Sequence, residues 1–188
     1  ISNDEMWIVS PDGSEKKKVL AASDKSERLM YYDWNPDSSQ IAYTQASLRD
    51  AIIDSESVRV FNLKTGETYE VSTHKSQIYG TRLRWSPSGQ LLTFNKDKSF
   101  IVFDAVNRKI KQEISTDVHN CSSTANINVA PVWSPNGKWF FYERSGAAHY
   151  TSAYVCISKL DGSTHRIERG GTILSDVVWD KTGIFLYF

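Results

Sequence analysis

No stretch of this 188-residue chain approaches the roughly 20 consecutive apolar residues that a membrane-crossing helix requires. The longest apolar runs, Ile184-Phe185-Leu186-Tyr187-Phe188 and Trp139-Phe140-Phe141-Tyr142, have the length of one strand. Membrane insertion is therefore not expected, and the chain reads as soluble. An excess of charge is missing too: Lys+Arg and Asp+Glu both number 22, the formal net charge is zero, and the pI is about 7.1. A nucleic-acid surface needs a basic excess on one face, so no nucleic-acid partner is expected.

Cysteine is scarce. Cys121 and Cys156 permit at most one intramolecular bridge, which excludes a disulfide scaffold. Cys156 alternates with Val155 and Ile157 in a strand-like run and reads as a buried structural thiol; a bridge to Cys121 is the alternative. Nucleophile and phosphate motifs are lacking: there is no Gly-x-Ser-x-Gly elbow and no Gly-x-Gly-x-x-Gly loop. No cofactor is expected. Asn120-Cys121-Ser122 matches a glycosylation sequon, which matters only in a eukaryotic secretory setting. The chain opens at Ile1 with neither an initiating methionine nor a signal pattern, which reads as a processed chain or a piece of a longer one.

What the sequence does contain is a repeat. Trp85-Ser86-Pro87-Ser88-Gly89 returns as Trp34-Asn35-Pro36-Asp37-Ser38, Trp133-Ser134-Pro135-Asn136-Gly137 and Trp179-Asp180-Lys181-Thr182-Gly183. The tryptophans stand 51, 48 and 46 residues apart, a spacing that marks supersecondary units of a solenoid or propeller. Pro36, Pro87 and Pro135 fix the first central position of a turn, and Gly89, Gly137 and Gly183 let the chain reverse. Trp34, Trp85, Trp133 and Trp179 then read as wedges buried between units, with Trp7 and Trp139 packing likewise. An exposed aromatic row for sugars is the rival reading.

Between these turns lies a second hairpin, seen at Pro11-Asp12-Gly13-Ser14, Lys64-Thr65-Gly66, Val106-Asn107-Arg108 and Leu160-Asp161-Gly162. Each unit is thus four short strands, a to d, in meander order, and no segment has convincing helical periodicity beyond one possible turn at residues 47–55. This predicts an all-β propeller of four-stranded antiparallel blades with four blade equivalents in a single domain. The units fall at about 24–71, 76–114, 126–167, and 172–188 completed by 1–20. Such two-plus-two closure would remove exposed sheet edges. The alternative is an arc of a larger six- to eight-bladed ring.

The Trp-Ser-Pro-Asp-Gly-like turn, followed by an Ile-Ala-Phe-like strand and an Asp-Gly hairpin, resembles the WD-like repeats of TolB-type propellers over nearly the whole chain. That resemblance implies a non-enzymatic scaffold binding a protein or peptide partner, and an extracytoplasmic location. Two enzyme readings stand beside it. One is the propeller portion of a prolyl-oligopeptidase-like peptidase without its catalytic domain. The other is a propeller lyase whose channel histidines hold a metal.

The face opposite the a–b turns carries the longer links, at residues 21–29, 45–56, 72–80, 115–129, 144–152 and 168–175. Loops on a rigid frame tend to carry binding residues. His74, His119 and His149 fall there and could form a site with Asp117 or Glu143, although none has a tight metal-ligand spacing. The candidate binding set on that face is His74, Tyr79, His119, Asn120, His149 and Tyr150. On strand a, Asp33 and Arg84 precede their tryptophans at equivalent positions. They form a candidate ion pair at a channel wall, which reads first as structural.

Overall fold

The computed structural model describes residues 4–75, 80–116, 121, 130–145, 153–168 and 177–187. They divide into two compact units, residues 1–76 and 77–188. Among the described residues every regular element is a strand.

The first unit begins with a two-stranded sheet of β1 (Glu5–Val9) and β2 (Lys16–Ala21). A four-stranded antiparallel meander follows: β3 (Glu27–Trp34), β4 (Gln40–Arg49), β5 (Ile52–Asn62) and β6 (Thr68–Lys75). The second unit holds two more meanders. One is β7 (Leu83–Trp85), β8 (Leu91–Lys96), β9 (Ser99–Asp104) and β10 (Lys109–Ser115). The other is β11 (Val132–Trp133), β12 (Trp139–Ser145), β13 (Ala153–Lys159) and β14 (Thr164–Glu168). The unit closes with the pair β15 (Val178–Trp179) and β16 (Leu186–Tyr187). These are blades of the expected kind. The blade expected from the union of the terminal hairpins is not formed among the described residues, because β1–β2 and β15–β16 remain separate two-stranded sheets.

Strands b and c of the second unit contain apolar runs, Phe100 to Phe103 and Trp139 to Tyr142, because both of their faces are covered. On β12, Phe140 and Tyr142 join Phe100, Val102 and Ile114 of the preceding sheet in one core, with Trp133 and Leu91. Phe100 lies 5.4 Å from Phe140 and 4.7 Å from Tyr142, ring centre to ring centre. Phe141, one residue over, points the other way into a cluster with Val155, Val177, Trp179 and Leu186. Burying one such aromatic is worth about 2–3 kcal/mol.

The repeated turns show why the motif survives loss of its letters. In all four, the residue after the tryptophan closes the same backbone bond: Asn35, Ser86, Ser134 and Asp180 each donate N–H to the carbonyl five residues on, at 2.8–2.9 Å. Side chains reinforce it. Leu91 N donates to Ser86 Oγ at 3.1 Å, and Trp139 N donates to Ser134 Oγ at 3.0 Å. In the copy without proline, Asp180 takes over, accepting from the backbone of Thr182, Ile184 and Phe185 at 2.9–3.1 Å and from the Thr182 hydroxyl. These bonds, the Thr182 hydroxyl foremost, lower its carboxyl to a pKa of about 2. The left-handed position is held by glycine at Gly89, Gly137 and Gly183 (φ 68–69°) and by Ser38 (φ 60°) in the first copy. Neighbouring turns also touch: Asn136 Nδ2 donates to the carbonyls of Thr182 (3.0 Å) and Gly183 (2.9 Å).

Three expectations are corrected. Cys156 is not a free thiol: it is bridged to Cys121, and both are fully buried in the core between the β7–β10 and β11–β14 sheets. The tryptophans do not share one environment. Trp85 and Trp133 are buried and Trp179 is half-buried, but Trp34 and Trp7 are 41% and 42% exposed, Trp7 on the two-stranded β1–β2 hairpin and Trp34 at the end of β3, with both lining one groove. The link at 45–56 is neither a loop nor a helical turn. It is the tip of a β4–β5 hairpin turning at Asp50 and Ala51, both at positive φ (51° and 63°) as a two-residue I′ turn demands.

Alanine is strained in the left-handed region, by about 1–2 kcal/mol. Ala51→Gly should therefore stabilise the protein by roughly 0.5–1 kcal/mol once the looser unfolded chain is offset. Gly183→Ala should cost more, about 2 kcal/mol, since a Cβ there meets Asn136 at 2.9–3.0 Å at φ +69°. Urea unfolding monitored by tryptophan fluorescence checks both signs. Reduction of the bridge, which spans 35 residues, should cost about 4 kcal/mol on the chain-entropy account. Thermal scans with and without a reductant read this out.

Candidate functional site

Among the described residues β4 and β5 are the longest strands, and their hairpin runs past the described pairing of both neighbours. β3 pairs with β4 only as far as Glu27 opposite Ser47, and β6 pairs with β5 only as far as Lys75 opposite Ser55. Leu48 N–H still donates to the Ser26 carbonyl at 2.6 Å, and residues 49–53 extend beyond that bond on the side opposite the Asn35 turn. Asp54 is passed over where Ser47 faces Ser55 and Leu48 faces Ile53, so the hairpin bends at its exit from the sheet. At the tip Ile52 is 72% exposed, and Arg49 lies 3.5 Å from Asp54. An isoleucine on an exposed tip is an apolar probe framed by charge.

Beneath the tip lies a pair that sequence reading half missed. His74 was expected on a loop; it is on β6, directly opposite Glu56 of β5. The two side chains are 5% and 0% exposed, with His74 Nε2 3.9 Å from Glu56 Oε2. Glu56, Val58 and Val60 alternate on one face of β5, and all three are buried. That alternation was the available signal: a carboxylate at the first position of an otherwise apolar i, i+2, i+4 face. A buried carboxylate is tolerable only with compensating polar partners, and His74, when protonated, would supply the opposite charge.

The rim carries fixed charge as well. Glu27 accepts from Ser23 N–H at 2.8 Å and Ser23 Oγ at 2.7 Å. These bonds, the hydroxyl first, hold its carboxyl below the ordinary glutamate range, so it is anionic at neutral pH. Arg28 sits 3.7 Å from Asp4, whose carboxylate also accepts from Leu29 N–H at 3.3 Å.

The other candidates divide differently. Asp33 lies on β3 of the first unit, and Arg84 is exposed on β7 of the second. The expected pair would span the two units. Tyr79, His119, Asn120, His149 and Tyr150 lie outside the described residues. Among those described, no group of three or more His, Cys, Asp and Glu could hold a metal. No helix among them is long and apolar enough to cross a membrane.

No protein-family model and no curated protein sequence matches the chain. Solved structures do. TolB from Acinetobacter baumannii superposes with a TM-score of 0.65 at 18% identity, over 95% of this chain and 41% of that one. The fold is that of TolB-like β-propellers. An oligogalacturonate lyase in complex with manganese matches at TM-score 0.54 and 17% identity, over 76% of this chain and 38% of that one. The tricorn protease matches at TM-score 0.59 and 13% identity, over 87% and 15%. The chain spans less than half the length of each. Identities this low carry the TolB-like propeller fold and nothing of the chemistry of those proteins.

In this TolB-like frame the Glu56 and His74 pair should behave as a unit. Removing one partner from a buried pair strands the other, so Glu56→Ala should cost about 3 kcal/mol. Glu56→Met combined with His74→Leu should recover most of that loss. Chemical denaturation of the two variants against the unchanged chain distinguishes these outcomes.

Proposed function

We propose that this chain is a non-enzymatic propeller scaffold that binds a protein or peptide partner through its loop-rich face. The observation that carries the reading is the β4–β5 hairpin. It carries an exposed isoleucine, with Arg49 and Asp54 beside it, at its tip and opposite the repeated turns. Projecting loops on a rigid β frame are the usual seats of recognition, and an apolar anchor with a polar surround suits a protein surface. The buried Glu56 and His74 pair under the hairpin ties β5 to β6 and steadies its base.

We place the protein outside the cytoplasm. Reducing compartments keep thiols free, and a fully buried bridge between Cys121 and Cys156 suits an oxidising one. The likeness to TolB agrees with it.

Random-peptide phage display on the immobilised chain tests the function. Enriched peptides should bind the chain in solution, and Ile52→Glu should weaken them at least about tenfold, the loss of one buried anchor. Its melting temperature should stay unchanged. Peptides indifferent to Ile52→Glu would place recognition elsewhere and sink the proposal.

A further inference from the structure

Asn136 and Gly137 form the one Asn-Gly dipeptide of the chain. In such a dipeptide no side chain shields the glycine nitrogen, and the permissive glycine backbone lets that nitrogen reach the asparagine side-chain carbonyl carbon. The chemistry is latent in the sequence; the structure shows what it would undo.

The repeat separates the two ends of the amide by what they do. The positions equivalent to Asn136 in the other turns hold Asp37, Ser88 and Thr182. Asp37 Oδ1 accepts from Ser39 N–H at 2.8 Å, and Ser88 Oγ accepts from Gln90 N–H at 3.4 Å. Asn136 Oδ1 makes the same cap, accepting from Lys138 N–H at 3.0 Å and from the Ser134 hydroxyl at 2.9 Å. An acid or a hydroxyl serves that cap as well as an amide does. The Nδ2 end is different, because it donates to the Thr182 carbonyl at 3.0 Å and the Gly183 carbonyl at 2.9 Å and so joins the β11–β12 turn to the β15–β16 turn. Both turns belong to the second unit. Their fit is close: a Cβ on Gly183 would meet Asn136 Nδ2 at 2.9 Å and the Asn136 backbone nitrogen at 3.0 Å.

We propose that Asn136 is a site of spontaneous deamidation, and that its conversion is a one-way release of the contact between these two turns. The Gly137 nitrogen attacks Asn136 Cγ. A bond from nitrogen to Cγ forms, the bond from Cγ to Nδ2 breaks, and the Gly137 amide proton departs with Nδ2 as ammonia. Water then opens the succinimide ring. Addition at Cγ gives aspartate, and addition at the main-chain carbonyl gives isoaspartate, whose backbone runs through the former side chain. The net change is an amide and a water becoming an acid and ammonia, with no oxidant or reductant. The aspartate product keeps the cap but puts an anionic oxygen where Nδ2 faced two carbonyls. Acceptor then meets acceptor, and the bond between the turns cannot re-form. The isoaspartate product also lengthens the backbone of the turn by a methylene.

The fold gates the first step. Gly137 N–H donates to the Ser134 carbonyl at 2.8 Å, and hydrogen bonds hold the Asn136 amide at both ends. Ring closure swings Cγ onto the Gly137 nitrogen and breaks them, so the reaction proceeds from molecules whose turn has opened. Released turns therefore accumulate with the age of the protein.

The test holds the purified chain at mildly alkaline pH with and without urea and maps its peptides by mass spectrometry for conversion of amide to acid. The proposal expects aspartate and isoaspartate at Asn136 before any other asparagine, and conversion at least about tenfold faster in urea, where the turn is open. Asn136→Asp should lower the melting temperature, and the deficit should shrink below about pH 4, where the new carboxyl is protonated and can donate. Asn136→Ser, which keeps the cap as Ser88 does, should melt between the unchanged chain and Asn136→Asp. Equal rates with and without urea overturn the proposal. So does another asparagine converting first in the folded chain, or an Asn136→Asp chain that melts with the unchanged one.

Discussion

The structure depends on one constraint: strands b and c must be covered on both faces at once. A sheet that is apolar on one side can rest against a single neighbour, but β12 sends Phe140 and Tyr142 to one side and Phe141 to the other. Each blade is stable only as part of a stack. The same constraint makes the two-stranded sheets conspicuous. Their equivalents elsewhere in the chain are buried, and theirs are not.

The tryptophan turn serves that stacking more than any chemistry. Its backbone bond is common to all four copies, while the side chain that braces it varies between serine and aspartate. Asn136 then spans from its own turn to the next, donating to the carbonyls of Thr182 and Gly183. The a–b turn side of the second unit is therefore laced together. The opposite side of the first unit is free to vary in length, and there β4 and β5 run on past their neighbours.

The repeat, its four strands and their meander order were legible because turn chemistry and alternation are local. Those are the features a single sequence records best. Three things were not legible, for physical reasons. Residues 45–56 carry a polar, weakly patterned segment, and the I′ turn that makes it a hairpin sits on Asp50 and Ala51 instead of the usual glycine. Cys121 lies in a link with no periodicity, so nothing local showed that it reaches the core beside Cys156. Trp34 and Trp7 match the wedge pattern, but their exposure depends on what lies across from them. For the candidate site, the histidine was found without its partner, because Glu56 looked like the end of a loop until the strand was extended through it.

The bridge between Cys121 and Cys156 encloses β11, β12 and the first part of β13 in one covalent ring. Strands a and b of that blade thus lie wholly inside the ring, while β14, its outermost strand, lies outside. A peptide bond cut within the enclosed stretch leaves the two fragments joined through sulfur, at a bridge that lies in the core with Phe100, Phe140 and Tyr142. The blade can be nicked without being lost, and its integrity rests on two sulfur atoms as much as on the continuity of its backbone.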